Sequence, residues 1–85
     1  MHIQLRFFAS VREALGSASE SVELPDHVIT VGDVRDYLCA RGGVWAESLS
    51  VKKSLRMAYD QVMTDADAVI AEGGEVAFFP PVTGG

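Results

Sequence analysis

The feature that most constrains this chain is that its two most apolar strand-like segments stand near opposite ends. At the N-terminus, Ile3, Leu5 and Phe7 alternate with His2, Gln4 and Arg6, so one face of an extended segment is buried and the other wetted. Near the C-terminus, Val76-Ala77-Phe78-Phe79 follows a clear turn, Glu72-Gly73-Gly74-Glu75, with Val76 and Phe78 inward and Ala77 and Phe79 outward. Strands this apolar fit a central position in a sheet, and if the two are neighbours their outward aromatics form one patch. With 85 residues there is room for one domain only, and no interdomain cleft.

Between these strands the pattern changes period. Ser10 and Glu13 are spaced as a capping box opening a short helix, and Gly16 can close it in a left-handed C-cap. Ser19 to Leu24 alternates again, with Val22 and Leu24 inward, until Pro25-Asp26 ends the strand. Thr30-Val31-Gly32-Asp33 opens the main helix, in which Asp33 plays the box glutamate's part. Val31, Val34 and Leu38, bordered by Tyr37, form its apolar stripe; Arg35, Asp36 and Arg41 lie away from the stripe's centre. Gly42-Gly43 is expected to end that helix, and Val44 to Leu49 to add a short turn with Trp45 and Leu49 as a core pair. Leu55, Met57 and Tyr59 alternate with Arg56, Ala58 and Asp60 in a third strand, while 61–71 carries no decisive period. Strand, strand, helix, strand, strand predicts an α+β domain: a mixed sheet with one main helix packed across it.

Charge and composition narrow the function. A net charge of −5 repels phosphate backbones, which argues against nucleic acid and favours a partner with a basic face. No apolar run is long enough to span a bilayer, and Met1 to Arg6 does not resemble a signal peptide, so the expected location is cytoplasmic. The single cysteine, Cys39, excludes an intramolecular disulfide and reads as a thiol on the buried side of a helix. His2 and His27 have no nucleophile or metal partner at useful spacing, and no phosphate-binding loop is present, so a self-contained active site is not expected.

The chemistry lies in the tail. Pro80 and Pro81 cannot continue a ladder and favour a stiff, extended exit from the last strand. Gly84 and Gly85 have no side chain and fit a channel too narrow for other residues. Residues Pro80, Pro81, Val82, Thr83, Gly84 and Gly85 would reach roughly 20 Å from a body spanning 1–79. The terminal carboxylate is a poor electrophile until an oxygen becomes a leaving group, as in adenylation by ATP. Its acyl carbon can then take sulfur or an amine. Phe8, Phe79 and Met63 are candidates for a partner interface, because strand parity turns Phe8 and Phe79 outward beside the tail.

Phe7-Phe8-Ala9 with Val11-Arg12-Glu13, and Glu75 through Gly85, resemble the opening and closing signatures of molybdopterin synthase small subunits. The resemblance implies a β-grasp, ubiquitin-like fold, with no cofactor bound to the chain itself. It also implies a cycle: an ATP-dependent adenylyltransferase activates Gly85, and a sulfur-transfer protein converts it to a thiocarboxylate. The large subunit, in a heterotetramer, then takes in the tail, and sulfur passes to cyclic pyranopterin monophosphate. Two places depart from the family's pattern: Glu72-Gly73-Gly74-Glu75, where Asp-Gly-Asp-Glu is common, and Met57-Ala58-Tyr59-Asp60-Gln61, where a small aliphatic and an asparagine are more usual. A carrier for thiamine or another thio-cofactor, and a ubiquitin-like modifier of lysines, would use the same activated Gly85.

Overall fold

The computed structural model of the chain describes residues 1–81. Strand β1 (His2–Phe7) leads into α1 (Ala9–Leu15) and back through β2 (Ser19–Glu23). Helices α2 (Val31–Cys39) and α3 (Gly43–Leu49) follow, then β3 (Arg56–Tyr59), β4 (Val62–Thr64) and β5 (Glu75–Phe79). The sheet order is β2-β1-β5-β3-β4, with β1 and β5 parallel and the remaining pairs antiparallel. The two apolar terminal strands are neighbours, and β5 is the middle strand, which fits the central position their composition favours. This is a mixed, ubiquitin-like β-grasp sheet.

One sheet face is packed and the other open. Ile3, Leu5, Phe7, Val76 and Phe78 point to the packed face, each no more than 1% exposed. Helix α2 covers them with Val31, Val34 and Leu38, and Leu49 of α3 joins the same core. The α2 capping box forms as read: Asp33 N–H donates to Thr30 Oγ1 at 3.0 Å, and Thr30 N–H donates back to the Asp33 carboxylate at 3.2 Å. Tyr37 is only half-buried at the edge of this core.

Several local expectations are corrected. The Ser10–Glu13 box does not form, because α1 starts two residues earlier than a Ser10 cap would set it, with Phe8 as its N-cap. Phe8 stays extended and bonded to β5 through its N–H and the Phe78 carbonyl (3.1 Å), and its own carbonyl accepts from Val11 and Arg12. Ala9 then turns at φ 50°, so Ser10 is already inside the helix and cannot cap it. Gly16 does close α1 in the left-handed region. Gly42 does not end α2, which stops at Cys39 with Ala40 as its cap; Gly42, at φ 77°, is the N-cap of α3. Leu24 and Leu55 are just outside their strands, although Leu24 is buried. Strand β4 has no strong signal in sequence. It returns through Asp60-Gln61, both at positive φ, a two-residue hairpin turn made without the usual glycine.

Arg35 is the largest correction. It lies on the buried side of α2 rather than away from it, only 8% exposed. Its Nε donates to the Leu49 carbonyl at 2.7 Å, and its Nη2 donates to the Ser50 and Lys53 carbonyls. These are the carbonyls that the end of α3 and its following turn leave without helical partners. A buried guanidinium therefore braces residues 49–53, the segment leading into β3.

Candidate functional site at the end of the central strand

The open sheet face is built from the strand residues that parity turns away from the helices. Cross-strand register aligns Arg6, Ala77, Ala58 and Met63 in one row. The two alanines in its middle are buried although they face outward, because a methyl group between longer neighbours is covered by them. The next row, toward the tail, holds Phe79 with Arg56 opposite it. Phe8 follows β1 into this row, and its ring meets that of Phe79 edge-to-face, centroids 5.7 Å apart at 80°. Phe8 is 39% exposed and Met63 50%, so apolar surface is presented to solvent where β5 ends. The Arg6 guanidinium stands 5.5 Å from the Phe8 ring centre and 3.8 Å from the Glu75 carboxylate, holding the ring at the patch border. Met63 shares the face, but β3 lies between it and Phe79.

Pro80 and Pro81 continue directly from Phe79 without joining a strand. They stand between two grooves. One is formed with Phe8, Ala9 and Phe79 on the sheet side. The other, on the helix side, has Val11, Ala14 and Leu55 as its apolar walls and Lys53 among its lining residues. Val82, Thr83, Gly84 and Gly85, the remaining tail residues singled out by sequence, lie outside the described residues.

Within the described residues, no side-chain set offers a competing chemistry. No group of three or more His, Cys, Asp or Glu is placed to hold a metal. Cys39 is half-buried, and its thiol donates to the Leu49 carbonyl at 3.1 Å. Burial pushes that thiol's pKa up, the nearby Arg35 charge pulls it down less, and Asp36 adds to the rise, so little thiolate is present at neutral pH. His2 stands 3.8 Å from Glu23 at the opposite end of β1 from the tail. Among the described residues, no helix is long and apolar enough to cross a membrane.

The central strand thus ends in two prolines with an aromatic pair beside its exit. The sequence pattern of the ThiS family matches residues 5–85. The chain belongs to the ThiS family. It is 37% identical to the molybdopterin synthase sulfur carrier subunit of Haemophilus influenzae, over 98% of this chain and 99% of that one. It is 40% identical to the Escherichia coli protein of the same name, with the same coverage. Among solved structures it is similar to SAMP1, a small archaeal modifier protein of Haloferax volcanii: TM-score 0.76, 26% identity, all of both chains. It also shares its fold with a chain in the complex of subunits 1 and 2 of molybdopterin-converting factor from Helicobacter pylori, at TM-score 0.67 and 17% identity over all of both chains.

At the start of β5, Tyr59 and Gly74 touch each other. Gly74 is buried in the turn before β5, and a Cβ there would overlap the Tyr59 hydroxyl and lie 2.7 Å from its Cε1 and Cζ. The Tyr59 hydroxyl accepts from the Ala71 N–H at 2.7 Å, which locks the ring over the turn. A bulky residue at 59 and a glycine at 74 are thus one arrangement, at the opposite end of β5 from the tail.

Proposed function

We propose that this chain is the sulfur-carrier small subunit of a molybdopterin synthase and that its reactive group is the Gly85 carboxyl. The observation that carries the reading is the Phe8–Phe79 pair at the exit of β5, in a chain 37–40% identical from end to end to proteins named as that subunit. Phe8 and Phe79, with Met63 at the far side of the same face, form the surface on which the partner sits. The body spans 1–79, and 80–85 is the arm.

The Gly85 carboxylate attacks the α-phosphorus of ATP on an adenylyltransferase, giving an acyl adenylate and releasing pyrophosphate. The outer sulfur of a persulfide on a sulfur-transfer protein adds to that acyl carbon and expels AMP, and a thiol then cleaves the resulting acyl disulfide, giving the thiocarboxylate and a disulfide. The large subunit admits the arm, and the sulfur passes to cyclic pyranopterin monophosphate while water restores the carboxylate. The small chain supplies sulfur and reach, and the large subunit supplies the substrate pocket. The assembly is a heterotetramer, and the work is cytoplasmic.

Reconstitution tests this. The Gly85 thiocarboxylate, mixed with a competent large subunit and cyclic pyranopterin monophosphate, is expected to yield molybdopterin and lose its sulfur. Deleting Gly85 is expected to abolish transfer and leave the fold unchanged. No product from the intact thiocarboxylate would refute the assignment. Lysine adducts ending in Gly-Gly would then favour the modifier reading, which the likeness to SAMP1 supports.

A further inference from the structure

The chain is acidic, yet the end from which the tail leaves is not. Lys52 and Lys53 are its only lysines, and both are exposed on the turn after α3. Lys53 lines the helix-side groove together with Pro80 and Pro81. Arg56 lies opposite Phe79 at the start of β3, and Arg12 follows Val11 of the groove wall. Among the described residues none of these four cations is in an ion pair, whereas Arg41 is paired with Glu20 and Arg6 with Glu75. On α1, α3 and the turn after it, Arg12, Lys52 and Lys53 stand against Glu13 and Glu47, a local excess of one positive charge within a chain of net −5, and Arg56 of β3 borders a groove that Asp65 also lines.

The lysine turn is also braced. Arg35 holds the Ser50 and Lys53 carbonyls from inside, Lys53 N–H donates to the Ser50 carbonyl at 2.8 Å, and Lys52 N–H donates to Ser50 Oγ at 3.2 Å. The two charges are therefore displayed from a fixed backbone beside the tail, not on a free loop.

We propose that the helix-side groove, with Lys53 on its wall and Lys52 next to it on the same exposed turn, docks an apolar segment flanked by carboxylates on the large subunit, at the mouth that admits the tail. The inference rests on the reading of the tail as an arm delivered to that subunit. A polyphosphate backbone does not fit the same place: it would leave the apolar walls of Val11, Ala14 and Leu55 unfilled and meet the repulsion of the remaining surface. A protein segment carrying both kinds of group satisfies walls and rim together. The lysines act mainly on encounter. They turn an acidic molecule so that its tail end leads, which raises the association rate more than it slows dissociation.

The test compares two variants of equal net charge in the full chain, binding the large subunit. K52Q/K53Q removes two positive charges at the groove. V69E/A71E adds two negative charges on exposed positions leading into the start of β5, the far end of the sheet. At low ionic strength K52Q/K53Q is expected to slow association by roughly tenfold, with the difference shrinking as salt is raised, and V69E/A71E by less than about twofold. Melting temperatures of both variants, measured alongside, are expected to match that of the parent. Equal slowing by the two variants, or none by K52Q/K53Q, would overturn the proposal and leave the carrier assignment intact. Failure of the unmodified chain to form any complex would overturn both.

Discussion

Replacing Gly74 by alanine tests whether Tyr59 and Gly74 are one arrangement. The new Cβ would overlap a ring that cannot easily move, because its hydroxyl is bonded to Ala71 N–H. The glycine cannot easily move either: its N–H donates to the Ala71 carbonyl at 3.0 Å, and its carbonyl accepts from Gln4 N–H at 2.9 Å. Overpacking of this kind costs about 1–3 kcal/mol. Displacing the tyrosine forfeits a further ~0.5–1.5 kcal/mol of hydrogen bonding. Against this, Gly74 is not among the positive-φ glycines, so alanine stabilises by ~0.4–1 kcal/mol through the unfolded chain. Taken at their midpoints these terms give a net loss of about 2 kcal/mol, a fall in melting temperature of roughly 8–16 °C for a domain of this size. With Tyr59→Val the obstacle is gone, and the same Gly74→Ala change is expected to be neutral or to stabilise by up to ~1 kcal/mol. Urea and thermal unfolding of the four proteins, followed by circular dichroism, give the coupling directly. An equal loss in both backgrounds would refute the reasoning, since the clash would then not be with Tyr59.

Phe79→Ala is expected to weaken large-subunit binding by about 2 kcal/mol or more, as a central aromatic of an interface does, and to cost less in folding stability because the ring is only half-buried. Unimpaired binding with a large fall in melting temperature would make it a core residue instead. Arg35→Met is expected to destabilise by about 3 kcal/mol, since the buried Leu49 carbonyl loses its charged donor; a change under ~1 kcal/mol would mean that water serves the carbonyl equally well. Asp33 has its carboxyl held below the ordinary range by the N–H groups of Ile29 and Thr30. Its contribution is therefore complete at neutral pH and lost as pH falls through the lowered value, so the melting difference between wild type and Asp33→Ala should shrink in acid. A difference that is constant with pH would show that charge plays no part in the cap. Cys39, with its raised pKa, is expected to alkylate more slowly than a free thiol at mildly alkaline pH; labelling at the free rate would show that the site opens readily.

What could be read in advance depended on how local its cause was. Strand alternation, the α2 cap and the Gly16 stop are each written within a few adjacent residues, and each appears in the structure. The outward parity of Phe8 and Phe79 was legible for the same reason. The absent Ser10 cap, the short β4 and the role of Gly42 were not. At Phe8 the backbone conformation is imposed by a neighbour distant in sequence, β5, which holds it extended, whereas β4 returns through an Asp60-Gln61 turn that lacks the usual glycine signal and Gly42 caps the next helix, not the one before it.

The sequence by itself determined a small α+β domain with apolar strands near both ends and a proline-stiffened exit to Gly84-Gly85, because period, composition and proline chemistry act along the chain. Only the tertiary structure decided that Arg35 is buried as a brace, that Tyr59 and Gly74 answer each other, and that Lys53 stands beside Pro80 and Pro81 in an acidic molecule. The physical reason is common to all three. A guanidinium finds its carbonyls, a ring meets its missing methyl group and charges segregate to one end only when segments far apart in sequence are folded against each other.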